Sequence, residues 1–135
     1  MNTQRKEDAS RLRQEIRQAQ AAVEGHVNRL LSMRGVLKGS IYEWKRKCGA
    51  ENCRCVRGEL HRSWVYSCRE GGKLRKAVLT EKEMHNWRGA VNAWKAFRRE
   101  RGKVVEGQRR IRNLLRELEE DLRVEVPRRE SRESE

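Results

Sequence analysis

The run Cys48-Gly-Ala-Glu-Asn-Cys53-Arg-Cys55-Val-Arg-Gly-Glu-Leu-His61, with Cys68 shortly after it, holds all four cysteines of a 135-residue chain. Thiols scattered by chance do not gather in this way. Three sulfurs and an imidazole so close in sequence can converge on one point. The ion that suits them is Zn²⁺, which takes four soft or borderline ligands in a tetrahedron and asks for no other geometry. The spacing is Cys-x4-Cys-x-Cys-x5-His. The Cys53-x-Cys55 pair offers two ligands from one tight turn, and Cys48 closes the loop from its other side. Gly49 and Gly58 permit the sharp backbone that such a loop needs. The fourth ligand has two candidates. His61 ends the loop, and Cys68 lies seven residues further on, where its placement depends on strand register. The sequence favours His61, with Cys68 as its substitute or as a small buried hydrophobe. The candidate metal ligands are therefore Cys48, Cys53, Cys55, His61 and Cys68.

Strand formers surround this loop. Ile41, Tyr42 and Trp44 precede it, and Trp64, Val65, Tyr66, Val78 and Leu79 follow it. Two alternating runs, one through Trp64 and one through Leu74, flank Gly71-Gly72. A two-residue glycine connection of this kind is a hairpin signal. The segment 40–47 can pair as a third strand. The expected unit is a three-stranded antiparallel meander with the cysteine loop between its first two strands. So small a sheet is marginal without a staple, and the metal supplies one.

Helical periodicity lies on both sides. Leu12, Ile16, Ala19, Val23, Val27 and Leu30 recur at three- and four-residue spacing, which predicts a helix from residue 4 to about 34. Thr80-Glu-Lys-Glu83 has capping-box spacing. Behind it Trp87, Val91, Trp94, Phe97, Val104, Ile111, Leu115, Leu118 and Leu122 mark one face of a second helix. Gly102 and Gly107 weaken its middle. The charged tail after Pro127 has no apolar residue and reads as disordered.

The fold class expected is α+β. Two long helices flank a small three-stranded antiparallel β module stapled by zinc, and the helices pack as an antiparallel hairpin or coiled coil. The boundaries are 4–38 for the first helix, 39–79 for the module, 80–124 for the second helix and 125–135 for the tail.

Composition narrows the function. Charged residues make up 39% of the chain and hydrophobic ones 36%, which is too polar for a thick core. The net charge is +13, so nucleic acid is the default partner. Residues 40–79 are the most basic segment, with ten basic and four acidic side chains. Lys45, Arg46, Lys47, Arg54, Arg57 and Arg62 surround the metal loop, and Lys73, Arg75 and Lys76 line the hairpin. These nine are the candidate nucleic-acid-binding residues. Tyr42, Trp44, Trp64 and Tyr66 lie among them. They can stack on bases, or they can be the only core so small a sheet has, and the second role is expected for at least two of the four. Arg98, Arg101, Arg109, Arg112 and Arg116 gather on the second helix, where they can follow a phosphate backbone or form the solvated face of a coiled coil.

No stretch approaches the roughly 20 apolar residues of a membrane span, so no membrane partner is expected. The N-terminal residues lead into no apolar signal region, so the expected location is the cytoplasm. Thiols stay reduced there, which favours metal over cystine. An enzymatic zinc site would keep an open position beside a general base. Glu51 and Glu59 lie in the loop, but no His-Glu-x-x-His pattern accompanies them, and no enzyme is expected. His26 and His85 read as surface or seam residues.

At this motif the chain resembles a family of small prokaryotic proteins known as a domain of unknown function. The shared pattern is Gly-Ser-hydrophobic, then Cys-Gly-x3-Cys-x-Cys-x2-Gly-x2-His, an aromatic strand, a Gly-Lys hairpin and a long charged helix. The matching residues are Gly39, Ser40, Ile41, Cys48, Gly49, Cys53, Cys55, Gly58 and His61, then Trp64, Tyr66, Gly72 and Lys73. The resemblance covers roughly residues 35–110. The family pattern continues Gly-Pro after the histidine, where this chain has Arg62-Ser63. Cys68 is outside the pattern, which favours His61. The resemblance implies no reaction. Genes of this family often neighbour transposases, which implies a mobile-element setting.

Together these observations predict a non-enzymatic, zinc-stabilised nucleic-acid-binding protein, an accessory of a mobile element. The alternative is a structural adaptor acting through its helices, with a homodimer or a helical protein as partner.

Overall fold

Proline-free sequence with regularly spaced apolar residues gives two helices, and the β-branched and aromatic segment between them gives a sheet. A computed structural model describes residues 3–129. The order is α1 (Thr3–Ser32), β1 (Ser40–Arg46), β2 (His61–Glu70), β3 (Lys73–Leu79) and α2 (Glu81–Leu122). Residues 123–129 carry no helix or strand, and the rest of the expected tail, 130–135, lies outside the described residues.

α1 stops at Ser32, short of the expected end. The Ser32 hydroxyl donates to the Arg29 carbonyl oxygen at 2.8 Å, and the Met33 amide turns back to the Leu30 carbonyl at 3.3 Å. Local bonds of this kind close a final turn and compete with its continuation. α2 starts where its capping box placed it. The Glu83 amide donates to the Thr80 hydroxyl at 3.1 Å, and the Thr80 amide donates to the Glu83 carboxylate at 3.2 Å. Two donors without helical partners are thereby satisfied. The helix then runs for 42 residues through Gly102 and Gly107 without a break.

The chain divides into two compact units. The first holds residues 3–26 and 103–129 of the described chain. Leu12, Ala19 and Leu114 form its buried core, and Ile16, Ile111 and Leu118 pack against them. The helices run antiparallel here. Arg5 and Ala9 line one cavity with Leu122 and Glu125, whereas Val23 touches the helix opposite at Gly107. A Cβ on Gly107 would overlap the Val23 side chain, so this glycine sets the approach of the two backbones. One expectation is corrected. Leu115 and Leu122 are half exposed, and Leu114 is the buried leucine. Positions 111, 114 and 118 share a face at 3.6 residues per turn, and 115 and 122 fall on its flank.

The second unit is residues 27–102. Its sheet has the order β1-β2-β3, antiparallel throughout. Gly71 and Gly72 both have positive φ, 57° and 78°, as a two-residue primed turn requires. Directly opposed residues share a face of the sheet. One face carries Ile41, Trp64, Tyr66, Cys68 and Leu79, and it is turned toward α2. The Tyr66 ring meets the Trp87 ring edge-on at 5.5 Å, and the Arg88 guanidinium lies 5.1 Å from the Trp64 ring centre. Met84 and Val91 of α2 are buried in this unit. Residues 33–39 are tied down from both sides. The Leu37 amide donates to the Ala90 carbonyl at 2.9 Å, and the Tyr66 hydroxyl donates to the Lys38 carbonyl. Gly39, at φ 138°, sits beneath Tyr66, where a Cβ would lie 2.6 Å from the ring.

Candidate metal centre

Edge strand β1 is hydrogen-bonded only to β2, and the two meet at their ends in the pair Arg46–His61. The loop between them must return the chain over a short distance, and it does so by coiling. The Cys53 amide bonds the Ala50 carbonyl at 3.3 Å, and a single 3-10 turn follows at Arg54–Arg57. The Gly58 amide closes that turn onto the Cys55 carbonyl at 3.4 Å. This winding brings Cys55 inward, where it is fully buried, and leaves Cys48 at the surface.

The ligand atoms of Cys48, Cys53, Cys55 and His61 all lie within 4.8 Å of one another. The Cys48 and Cys55 sulfurs are 3.5 Å apart, and the Cys53 sulfur is 2.9 Å from His61 Nε2. Around a tetrahedral zinc, sulfur–sulfur edges are about 3.8 Å and sulfur–nitrogen edges about 3.5 Å. To take that shape the Cys53–His61 pair must open, and the widest separations, up to 4.8 Å, must close by about 1 Å. The Cys48 amide points at the Cys55 sulfur at 3.4 Å, the sort of N–H···S contact that stabilises a ligating thiolate. Three sulfurs and one imidazole nitrogen form a closed set that can hold a metal ion without another ligand.

The thiols divide their protons unequally. The Cys48 thiol is lowered to about 6, first by the Ala50 backbone amide and then by the side chains of Cys53, Cys55 and His61. On Cys53 the largest single influence, the Cys55 backbone amide, is downward. The Cys48 and Cys55 side chains, desolvation and the Cys48 charge outweigh it, and the thiol is raised. The first proton thus leaves Cys48, and its negative charge holds the proton on Cys53.

Cys68 lies elsewhere. It is buried mid-strand in β2, opposite Arg75 on the helix-facing side, and stands outside the four-residue group. Burial, with Cys68 close by, raises the Tyr66 phenol above its usual range.

The basic residues fall into three sets. Lys45, Arg62, Lys73 and Arg75 share the helix-facing side of the sheet. On that side Arg62 pairs with Glu43 at 3.5 Å and Arg75 with Glu70 at 3.7 Å. Arg46 and Lys76 project from the opposite side, and Lys47, Arg54 and Arg57 belong to the exposed loop. The aromatics divide in the same way. Trp64 and Tyr66 are half-buried toward α2, whereas Tyr42 and Trp44 are 38% and 45% exposed on the other side. Arg46 lies over the Trp44 ring at 5.0 Å. Sequence reasoning passed over Arg69, which is exposed on the same side as Arg46 and Lys76. Counting two-residue steps from Val65 places it on the face opposite Trp64 and Tyr66. Of the helix arginines, Arg98 lies over Trp94 at 4.9 Å.

A family model described as a domain of unknown function (DUF6788) matches residues 6–84. The match takes in most of α1, the whole sheet, the cysteine loop and the first turn of α2. It reaches further toward the N-terminus than the resemblance read from the motif, and it stops earlier in α2. No curated protein and no solved structure matches. No helix among the described residues is long and apolar enough to cross a membrane.

Proposed function

The chain belongs to this domain-of-unknown-function family, and we propose that it is a non-enzymatic, zinc-stabilised nucleic-acid-binding protein. The observation that carries the reading is the convergence of Cys48, Cys53, Cys55 and His61 at the end of the β1–β2 pair, within the most basic segment of the chain. Zinc held there would staple the edge strand to the sheet. Four protein donors leave no open position for substrate, which favours a structural ion over a catalytic one. Lys47, Arg54 and Arg57 on the loop would meet phosphates together with the basic residues of the strands. Such contacts are largely blind to sequence and strongly dependent on salt. The mobile-element setting rests on the motif resemblance alone.

The test is a mobility-shift titration of the metal-loaded chain with DNA and RNA at several salt concentrations. Affinity should fall steeply as salt rises. Replacing Arg54, Arg57 and Arg62 together by glutamine should weaken binding and flatten the salt slope at unchanged metal content. Replacing Arg109, Arg112 and Arg116 should have the smaller effect. The reverse ranking moves the surface to α2, and no binding at low salt rejects the reading.

One observation favours the adaptor reading as the alternative. Leu115 and Leu122 are half exposed on α2, with half-buried Leu118 between them. That stripe suits a second copy or a helical partner in a coiled coil. Concentration-dependent association that Leu115→Glu abolishes would support it.

A further inference from the structure

The sheet has one face turned toward α2 and one that is open. Across the open face run Tyr42, Trp44 and Arg46 of β1, then Ser63, Val65, Ser67 and Arg69 of β2, then Leu74, Lys76 and Val78 of β3. Its apolar groups are conspicuously exposed: Val78 at 68%, Leu74 at 51%, and the two aromatic rings already described. Val65 alone is buried, in the central strand between Tyr42 and Val78. A solvated sheet face ordinarily carries polar side chains. This one carries rings and aliphatic groups interleaved with cations.

Its charge is one-sided. Arg46, Arg69 and Lys76 are basic, and no residue of the three strands on this face is acidic. The two strand carboxylates that pair with arginines, Glu43 and Glu70, both belong to the other face. A second copy of the chain docked face to face would set these cations against their own equivalents. The occupant must therefore bring negative charge together with flat apolar surface.

We infer that the open face binds single-stranded nucleic acid, with unpaired bases stacked on Tyr42 and Trp44 and the backbone held by Arg46, Arg69 and Lys76. This deepens the proposed function and rests on it. The two rings are one two-residue step apart on one strand, about 7 Å, which neighbouring nucleotides of an extended strand can span. Every base has a π face, so such a platform tolerates any sequence. A duplex keeps its bases stacked on one another and offers this face only phosphates, leaving the rings unused. The candidate metal centre lies at the same end of β1, two residues beyond Arg46. A bound ion would hold Trp44 and Arg46 in register with β2, so metal binding would also preorganise the platform.

The test uses the full metal-loaded chain with fluorescein-labelled oligonucleotides, one single-stranded and one the corresponding duplex, and polyglutamate as competitor. The single strand should bind at least tenfold tighter than the duplex, and polyglutamate should displace it poorly. Trp44→Leu keeps an apolar side chain but loses the ring. It should lower single-strand affinity about tenfold while leaving duplex affinity unchanged. Trp44→Phe should restore most of it, which separates stacking from misfolding. Arg69→Gln with Lys76→Gln should flatten the salt slope by about 1.4, at about 0.7 per lost contact. Equal binding of single strand and duplex, with Trp44→Leu inert, overturns this inference and leaves the nucleic-acid reading standing. Displacement by polyglutamate at equal charge shows a general polyanion surface and also overturns it. No binding of either oligonucleotide at low salt rejects both.

Discussion

Cys55 and Cys68 are both buried, yet their surroundings give them different roles. Cys55 faces two other thiols and an imidazole, whereas Cys68 sits among the side chains of a sheet. The proposed zinc site therefore separates them. His61→Ala should remove one of four donors and cost the protein its stoichiometric metal. Cys68→Ala should keep one ion per chain, as elemental analysis of the purified variants will show. Loss of metal from Cys68→Ala with retention in His61→Ala would invert the assignment. The unequal thiols give a second residue-level prediction. Where the loop is folded, Cys48, lowered to about 6, gives up its proton more readily than Cys53. Cys53, raised, is still protonated and must release its proton. Calorimetric zinc titration in buffers of different ionisation enthalpy should report net proton release. A binding heat independent of buffer would contradict it.

At the scale of the elements, period and caps were the most legible features. Thr80-Glu-Lys-Glu83 announced the start of α2, and Gly71-Gly72 announced the hairpin, because each encodes a local geometry that few other residues permit. The cysteine spacing likewise indicated a loop that converges on one point. What remained hidden depended on contacts between elements. Nothing local distinguishes Leu114 from Leu115, since both suit a helix and only the rotation of α2 against α1 selects one. The same holds for the nine basic residues. Alternation could sort the six on strands into two faces, but only the packing of Trp64 and Tyr66 toward α2 reveals which face is open. Truncation tests the helix contact. Leu114→Ala removes a buried side chain from the core with Leu12 and Ala19 and should cost about 2–4 kcal/mol. Leu115→Ala, on the half-exposed flank, should cost under about 1 kcal/mol. Equal shifts in melting temperature would place both leucines in the seam.

At the scale of the whole molecule, the candidate metal centre lies at the end of an otherwise marginal sheet. Three short strands bury little: Val65, Cys68 and Leu79 are their only buried hydrophobic residues. A sheet of this size gains independent stability from packing against a helix or from a staple, and here the proposal gives it both. α2 supplies the first through Trp87 and Arg88, and a zinc ion would supply the second at the end of the β1–β2 pair. Helical structure in the first unit does not depend on the loop, so the two parts should respond differently to chelation. The direct measurement is a zinc titration of the metal-free chain followed by amide NMR. One equivalent of Zn²⁺ should bring the signals of β1 and of residues 48–61 from collapsed to dispersed, with helical circular dichroism nearly unchanged. Dispersed β1 signals in rigorously metal-free protein, with no response to zinc, would contradict the account.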